Sequence, residues 1–321
     1  MRILLAVDGS RSADRARDLV ASLPWDDGGL VRIVTVAPTR SELLGVPWDI
    51  NVPPDADEIE DQILRIHRDA LQTAEREIRC ARCDLVIEPV LIRGRAASVI
   101  VDQACEMDAD LVVVGHRGMG LWESMLLGSV SAEVVDHAPC PVLVARDDQL
   151  GPVILADDGS PDARTAEDVV TRWPLFSGLP IRVVTVSEDG FPYAAAVAPF
   201  LYTETMTGYS ESVEAEHRER RAESEAAAAR LRDAGLEAVA EVRDGDAAHQ
   251  IIASAREREA GIIVVGSRGQ TGLRRLILGS VARNVLLHAP CSVLVVREGV
   301  RVEGGPVDRR REEREVISAF G

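Results

Sequence analysis

Lysine is missing altogether: the 36 basic residues of this 321-residue chain are all arginine. That absence removes a P-loop lysine on a phosphate, a Schiff-base lysine and a kinase-type strand lysine from consideration. Aromatic residues make up only 3% of the chain, so any core must be aliphatic. No run of eighteen apolar residues occurs, which argues against a membrane span. The run Ile3–Val7 is too short for a signal-peptide core. The five cysteines, an odd number without a framework, fit a reducing cytoplasm, the expected location. Positive charge is scarce as well. The formal net charge is −17, a field that repels nucleic acid and anionic lipid, so neither is an expected partner.

What the sequence has in abundance is itself. Residues 2–10, RILLAVDGS, return as 152–160, PVILADDGS, and VRIVTV (31–36) returns as IRVVTV (181–186). DLVVVGHRGMG (110–120) returns as GIIVVGSRGQT (261–271), and LLGSVSAEVVDHAPCPVLVA (126–145) as ILGSVARNVLLHAPCSVLVV (277–296). The offset is 150 early and 151 late, so one unit is duplicated with a one-residue net insertion. Such a period marks a domain duplication, since solenoid repeats run to about 20–50 residues. The expected division is 1–147 for the first domain, 148–298 for the second and 299–321 for a charged tail.

Each copy alternates short Val/Ile/Leu runs with longer helical stretches. Ile3–Val7, Val31–Val36, Leu85–Ile92, Leu111–Val114 and Val142–Ala145 read as strands. So do Val153–Ala156, Ile181–Val186, Leu236–Val242, Ile262–Val265 and Val293–Val296. Nearly continuous apolar runs mark strands covered on both faces, and the alternation predicts two tandem α/β domains, each a doubly wound five-stranded parallel sheet. Ser160-Pro161 reads as an N-cap and first helical residue, and Gly235 as the stop of a helix beginning near Glu211. Asp55 with Glu58 offers a capping box. Segments 37–55 and 187–210 carry isolated aromatics (Trp48, Phe191, Tyr193, Phe200, Tyr202, Tyr209) in stretches too long for simple connections.

The chemistry starts at Gly115. The first copy reads Gly115-His-Arg-Gly118, nine residues, then Gly128-Ser129; the second reads Gly266-Ser-Arg-Gly269, nine residues, then Gly279-Ser280. Each follows a strand and opens a helix. Glycines without Cβ admit a phosphate close to the main chain, and the helix N-terminus adds unpaired N–H donors and the positive end of a dipole. Ser129 and Ser280 are expected to sit at the N-cap while donating to phosphate. Such a cradle needs no lysine. Asp8 and Asp158 end the first strand of each copy, at the sheet edge where open α/β folds bind ligands, placed to accept from ribose hydroxyls or hold a metal. Asp157 stands where the first copy has Val7 and adds like charge to the second site. His116 lies within the loop, opposite Ser267, within possible reach of a phosphate. Arg117 and Arg268 stand either to neutralise phosphate or to pair with a surface acid.

With these motifs the chain resembles the universal stress protein family in its tandem form, through the glycine loop, the Asp-Gly-Ser after the first strand and the His-Ala-Pro-Cys segments at 137–140 and 288–291. Gly94-Arg-Ala-Ala and Gly245-Asp-Ala-Ala fit as well. The resemblance implies an adenine-nucleotide-binding, Rossmann-like fold holding ATP with Mg2+, and dimer-like pairing through the last strands. Carried onto this sequence, it assigns Asp8 and Val36 to ribose and adenine, and Gly115, Gly118, Gly128, Ser129 and Val130 to the phosphates. The second set is Asp158, Val186, Gly266, Gly269, Gly279, Ser280 and Val281. Leu121 departs from the family's glycine, present in the second copy as Gly272. The implied function is an ATP-dependent regulator of the stress response with at most slow hydrolysis, acting on an unidentified protein partner and able to form a homodimer. A nucleotide-free scaffold and a weak metal-dependent ATPase are the alternatives. A nicotinamide dehydrogenase is disfavoured, because no G-x-G-x-x-G follows the first strand.

Other eye-catching residues carry less. Cys80 and Cys83 form a C-x-x-C at a helix end, without the further ligands that zinc needs. Cys140 and Cys291 read as core packing, and His137 and His288 as cations at helix C-termini.

Overall fold

A computed structural model describes residues 1–25, 28–44, 56–118, 127–187, 205–269 and 278–297. The first half runs β1 (Arg2–Ala6), α1 (Arg11–Ser22), β2 (Leu30–Ala37), α2 (Arg40–Leu44), α3 (Ala56–Ala81), β3 (Val86–Arg93), α4 (Ala96–Glu106), β4 (Leu111–Gly115), α5 (Ser129–His137) and β5 (Val142–Ala145). The second runs β6 (Val153–Ala156), α6 (Pro161–Arg172), β7 (Ile181–Ser187), α7 (Thr205–Asp233), β8 (Ala238–Asp244), α8 (Ala247–Glu257), β9 (Ile262–Gly266), α9 (Ser280–His288) and β10 (Ser292–Val296). A 3-10 turn, Pro174–Phe176, follows α6.

All ten expected strands are present and parallel within each half. The two five-stranded sheets are one, however, with the order β3-β2-β1-β4-β5-β10-β9-β6-β7-β8. The seam is antiparallel and pairs Val142 with Val295, Leu143 with Leu294 and Val144 with Val293. Pairing through the last strands is therefore satisfied inside one chain. Arginines at matching positions clamp the seam. Arg146 Nη2 donates to the Leu286 carbonyl near the end of α9, and Arg297 Nη2 donates to the Val135 and Asp136 carbonyls at the end of α5. Each cation meets the negative end of the other half's helix.

The missing alternation along the strands has a plain cause. In β1, Ile3 and Leu5 enter one apolar cluster with α1, α3, α6 and α7, while Leu4 enters another with α4, α5, α8 and α9. Both faces are dry. Ser10 and Ser160 cap α1 and α6, accepting from Ala13 N and Ala163 N at 3.2 Å, with Pro161 in the first turn of α6. Gly235, with φ +87°, follows the end of α7.

Three expectations shift. Helix α7 begins at Thr205, six residues before the Glu211 read from composition, its first turns being the Thr-Met-Thr-Gly-Tyr-Ser stretch taken as loop. Part of the segment after β2 is helical, as α2. The helix N-caps after the glycine loops are Gly128 and Gly279, which leaves Ser129 and Ser280 as first helical residues with no side-chain cap bond. The proposed Asp55–Glu58 box, the aromatics Trp48, Phe191, Tyr193, Phe200 and Tyr202, the Leu121/Gly272 difference and the tail lie outside the described residues, as does the side chain of Tyr209.

Candidate functional site

Strand β1 ends at the sheet's carboxyl edge, where its Val7 N–H still bonds the Val34 carbonyl of β2 (3.0 Å) before the chain turns into α1. Gly9, with φ +84°, makes that turn. Asp8 Oδ1 accepts the Ser10 N–H at 2.9 Å, which fixes the carboxylate over the edge. Because Ser10 is the N-cap, Asp8 is not spent on capping. The second copy repeats this with Asp158 Oδ1 and Ser160 N at 3.0 Å.

The glycine loop is anchored to the same turn. Ser10 Oγ donates to the Arg117 carbonyl (3.3 Å) and Ser12 Oγ accepts the Arg117 N–H (3.1 Å). Gly128 N donates to the His116 carbonyl at 2.8 Å, closing the loop on itself, and Ser131 Oγ donates to the Gly115 carbonyl at 2.6 Å. The counterparts are Ser160 Oγ to the Arg268 carbonyl (3.3 Å) and Gly279 N to the Ser267 carbonyl (2.8 Å).

Contacts around the glycines show why they are glycines. A Cβ at Gly115 would stand 2.6 Å from the Ser12 carbonyl carbon, one at Gly118 would stand 2.7 Å from Asp8 Oδ2, and one at Gly128 would stand 3.3 Å from Arg117 Cα. In the second half, Gly266 faces Asp162 Cβ at 2.9 Å, Gly269 faces Asp158 Oδ2 at 2.7 Å and Gly279 faces the Ser267 carbonyl at 3.3 Å. The described ends of both loops thus lie close against the turn that carries the aspartate.

In the first half these elements wall a cleft of about 640 Å³, within the range of small-molecule sites. Asp8, Val36, Gly115, Gly118, Gly128, Ser129 and Val130, the seven residues assigned from sequence, all line it. Ala6, Val34, Ala96 and Ile100 give it an apolar wall. In the second half, Asp158 meets Gly269, Gly266 meets α6, and Ser280 opens α9 behind Gly279. Val186, near the end of β7, and Val281 both pack against the apolar cluster on the α8/α9 face.

Sequence reasoning missed His67, which reaches the cleft from α3 and is 6% exposed. Its Nδ1 lies 2.8 Å from the Ile63 carbonyl, a bond in which the ring must donate. The register Ile63, His67, Leu71, Ala74 was the available signal, since it puts His67 on the helix's apolar stripe.

His116 does not line the cleft, contrary to its expected reach toward phosphate. Its Nδ1 lies 2.7 Å from Ser12 Oγ. Burial, with Arg146 and Arg117 nearby, brings its pKa down to about 4, although the Ala145 carbonyl works the other way. The ring is neutral at pH 7 and shares one proton with the Ser12 hydroxyl, whose oxygen also takes the Arg117 N–H. The two loop arginines differ in their surroundings. Arg117 lines the cleft, and its buried Nε has no hydrogen-bond partner. Arg268 lies 3.4 Å from the Asp162 carboxylate.

Asp157 is 9% exposed and accepts the Gly159 N–H at 2.9 Å. Burial raises its pKa above the ordinary 3.8, and the nearby Glu167 and Asp158 raise it further. The folded state therefore favours the protonated acid, so ionised Asp157 opposes folding above its raised pKa. That penalty fades as pH falls through the raised value and is gone below 3.8. Asp157→Asn keeps the acceptor for Gly159 and is expected to raise the melting temperature at pH 7. The gain should shrink steadily toward pH 4, as followed by thermal unfolding across pH; a pH-independent gain would remove ionisation as its cause.

Cys140 and Cys291 are buried, their thiols pushed up to about 12 by burial, as packing residues should be. Cys80 and Cys83 are exposed thiols at the end of α3. Among the described residues no cluster of three or more His, Cys, Asp or Glu could hold a metal by itself, and no helix is long and apolar enough to cross a membrane.

Comparison with known proteins agrees with this architecture. The sequence model of the Universal stress protein family matches residues 1–146 and again 150–297. A universal stress protein of Mycobacterium tuberculosis is 30% identical over 255 residues, covering 74% of this chain and 78% of the relative. A shorter one from Thermus aquaticus is 34% identical over 148 residues, 45% of this chain and 97% of its own length. Among solved structures, a universal stress protein from Archaeoglobus fulgidus superposes with a TM-score of 0.62 at 21% identity, covering 93% of this chain and 98% of that one.

Proposed function

The chain belongs to the universal stress protein family, one copy of the family domain in each half, and from that premise we propose that it binds ATP and acts as a nucleotide-dependent regulator of the stress response. One observation carries this reading: the seven residues assigned to nucleotide from sequence converge on a single cleft, with Asp8 pressed against Gly118. The apolar wall of Val34, Val36 and Ile100 suits a flat base, and Asp8 suits a ribose hydroxyl. Main-chain N–H groups in the first turn of α5 suit phosphate oxygens, while that of Gly128 is already given to the His116 carbonyl. Arg117 borders the same cleft, and its buried Nε has no hydrogen-bond partner.

The residues present also fit Mg2+. That ion keeps several waters and needs one or two carboxylates beside the phosphates, and Asp8 with the Ser129 hydroxyl supplies oxygen donors on this side. When bound, it would neutralise part of the phosphate charge. Hydrolysis on this reading is at most slow. The chain offers donors that bind and orient the phosphates, while Asp8, the carboxylate at the cleft, is held by Ser10 rather than poised as a base. Each half, 1–147 and 148–298, is one binding unit. The charge of −17 favours a protein partner over nucleic acid or membrane in the cytoplasm. With the β5 and β10 edges occupied by each other, a homodimer would have to use another face.

Two measurements test the reading. Denaturing extraction of freshly purified protein, with mass identification, should release an adenine nucleotide. Ser129→Ala should weaken ATP binding by about 1.5–3 kcal/mol, the scale of a hydrogen bond to a charged group, as read by calorimetry. No nucleotide on extraction and no ATP binding would leave a nucleotide-free scaffold as the function.

A further inference from the structure

The two halves share backbone geometry but not charge. At the offset of 150, Val7 and Ser12 of the first half become Asp157 and Asp162 of the second, and at 151 His116 becomes Ser267. In the first half the residue beneath the loop is a hydroxyl, Ser12, held between the Arg117 N–H and the neutral His116 ring. Among the described residues no carboxylate lies within ion-pair distance of Arg117, and its buried Nε has no partner although the side chain borders the cleft. A guanidinium in that state is a binding group without a ligand.

In the second half the carboxylate of Asp162, 3% exposed, fills the place beneath the loop. It accepts the Ser267 hydroxyl at 2.6 Å and lies 3.4 Å from Arg268 Nη2. The cation equivalent to Arg117 is thus already matched by an acid. Asp157 and its neighbours Asp158 and Glu167 add further negative potential, of which Arg230 offsets one charge through its two bonds to Glu167 (2.6 and 2.7 Å). Of the other nearby arginines, Arg15, close to His116, has Thr165 as its counterpart and so adds positive charge to the first half alone. Arg146 and Arg297 are equivalents, and each donates through Nη2 to carbonyls across the seam, the buried Nε of Arg146 being left without a partner.

We propose that the two cradles are unequal triphosphate sites, the first made tight by Arg117 acting directly on the phosphates, the second weakened by Asp162, which holds Arg268. This rests on the nucleotide reading above and adds which site fills first and why. A triphosphate brings three to four negative charges. A free guanidinium in a partly dry cleft attracts it, whereas each buried carboxylate near the other cradle repels it. At intermediate ATP the chain would carry one nucleotide, in the first half.

The test is calorimetric titration of the full chain with Mg-ATP, one cradle at a time. Gly269→Ala silences the second cradle and exposes the first; Gly118→Ala does the reverse. The first cradle should bind at least about tenfold more tightly. Arg117→Gln should then weaken it by about 10- to 100-fold, while Arg268→Gln should change the second by less than about threefold. Asp162→Asn keeps an acceptor for Ser267 and removes the buried negative charge beneath the loop, so it should tighten the second cradle by about tenfold; circular dichroism and melting confirm that each variant is folded. Equal affinities in the two cradles, or equal losses from the two arginine variants, overturn the inequality and leave the nucleotide reading standing. Binding at neither cradle, with no nucleotide extracted, overturns both.

Discussion

Gly118→Ala combined with Gly269→Ala is expected to lower ATP affinity by about 100-fold or more while leaving the melting temperature nearly unchanged. Neither glycine lies in the left-handed region, so alanine is compatible with the backbone. The conflict is with one group only. The new methyl would stand 2.7 Å from Asp8 Oδ2, and in the second half 2.7 Å from Asp158 Oδ2. A carbon and an oxygen cannot approach that closely, and the aspartate has few ways to yield. Its stem is a single methylene, and Oδ1 is tied to the backbone N–H two residues on, at 2.9 and 3.0 Å. The carboxylate must rotate off the sheet edge or the loop must lift from it, and either motion separates the proposed phosphate cradle from the aspartate proposed to hold the ribose and cation. Loss of one charge-assisted contact accounts for about 1.5–3 kcal/mol, and the displaced loop adds to it. Calorimetry reads the affinity and a thermal melt the fold. Parental affinity in the double variant would show that Asp8 and the loop do not form one site. A large fall in melting temperature instead would make these glycines packing residues.

The Asp8–Gly118 contact also marks where sequence reading stops. The duplication, the ten strands and the glycine spacing are local patterns, written in consecutive residues, and each was legible. Of the seven cleft residues of the first half, the glycines, Ser129 and Asp8 stood out from the repeated motifs at strand ends, whereas Val36 and Val130 came only from the family resemblance. The reason for Gly118 was not: it depends on a carboxylate 110 residues away meeting the loop face to face. The continuous sheet was visible only as an implication of resemblance, since nothing in VLVA or SVLVV says which neighbour its free edge takes. Asp162 is the sharper case. From sequence it is one more acid in the first turn of a helix, favoured there by the dipole. Only folding brings it under Ser267 and Arg268, 105 and 106 residues on, where it changes the charge of a site. Ser129 shows the converse. Its position was readable, but its exact role at the helix start was not, because Gly128 already has the extended backbone a cap requires (φ −70°, ψ 145°).

Gly261→Ala should destabilise the chain by about 3 kcal/mol or more, on the scale of a forced backbone displacement, and lower the melting temperature by about 5–10 °C. A Cβ there would lie 2.0 Å from Gly151 N and 2.6 Å from Gly151 Cα. These are main-chain atoms, which no rotamer change can move aside. Gly261 N donates to the Pro152 carbonyl at 3.0 Å, and the next residues pair β9 with β6 through Ile262 and Val153. Separating the two backbones therefore attacks the central pairing of the second half at its first rung. The matching residue of the first half, Asp110, is not a glycine; its carboxylate receives the Arg2 N–H at 2.5 Å instead. Gly151 belongs to the linker from β5, which passes close by the start of β9. Gly151→Ala is the control. Its Cβ would meet Gly261 N at 3.3 Å and Gly261 Cα at 3.4 Å, a contact relieved by a few tenths of an ångström. The two substitutions should differ by several degrees in thermal unfolding, with Gly261→Ala the lower. Equal melting temperatures would mean that the linker moves away freely, and that the close crossing contributes nothing to the rigidity of the second half.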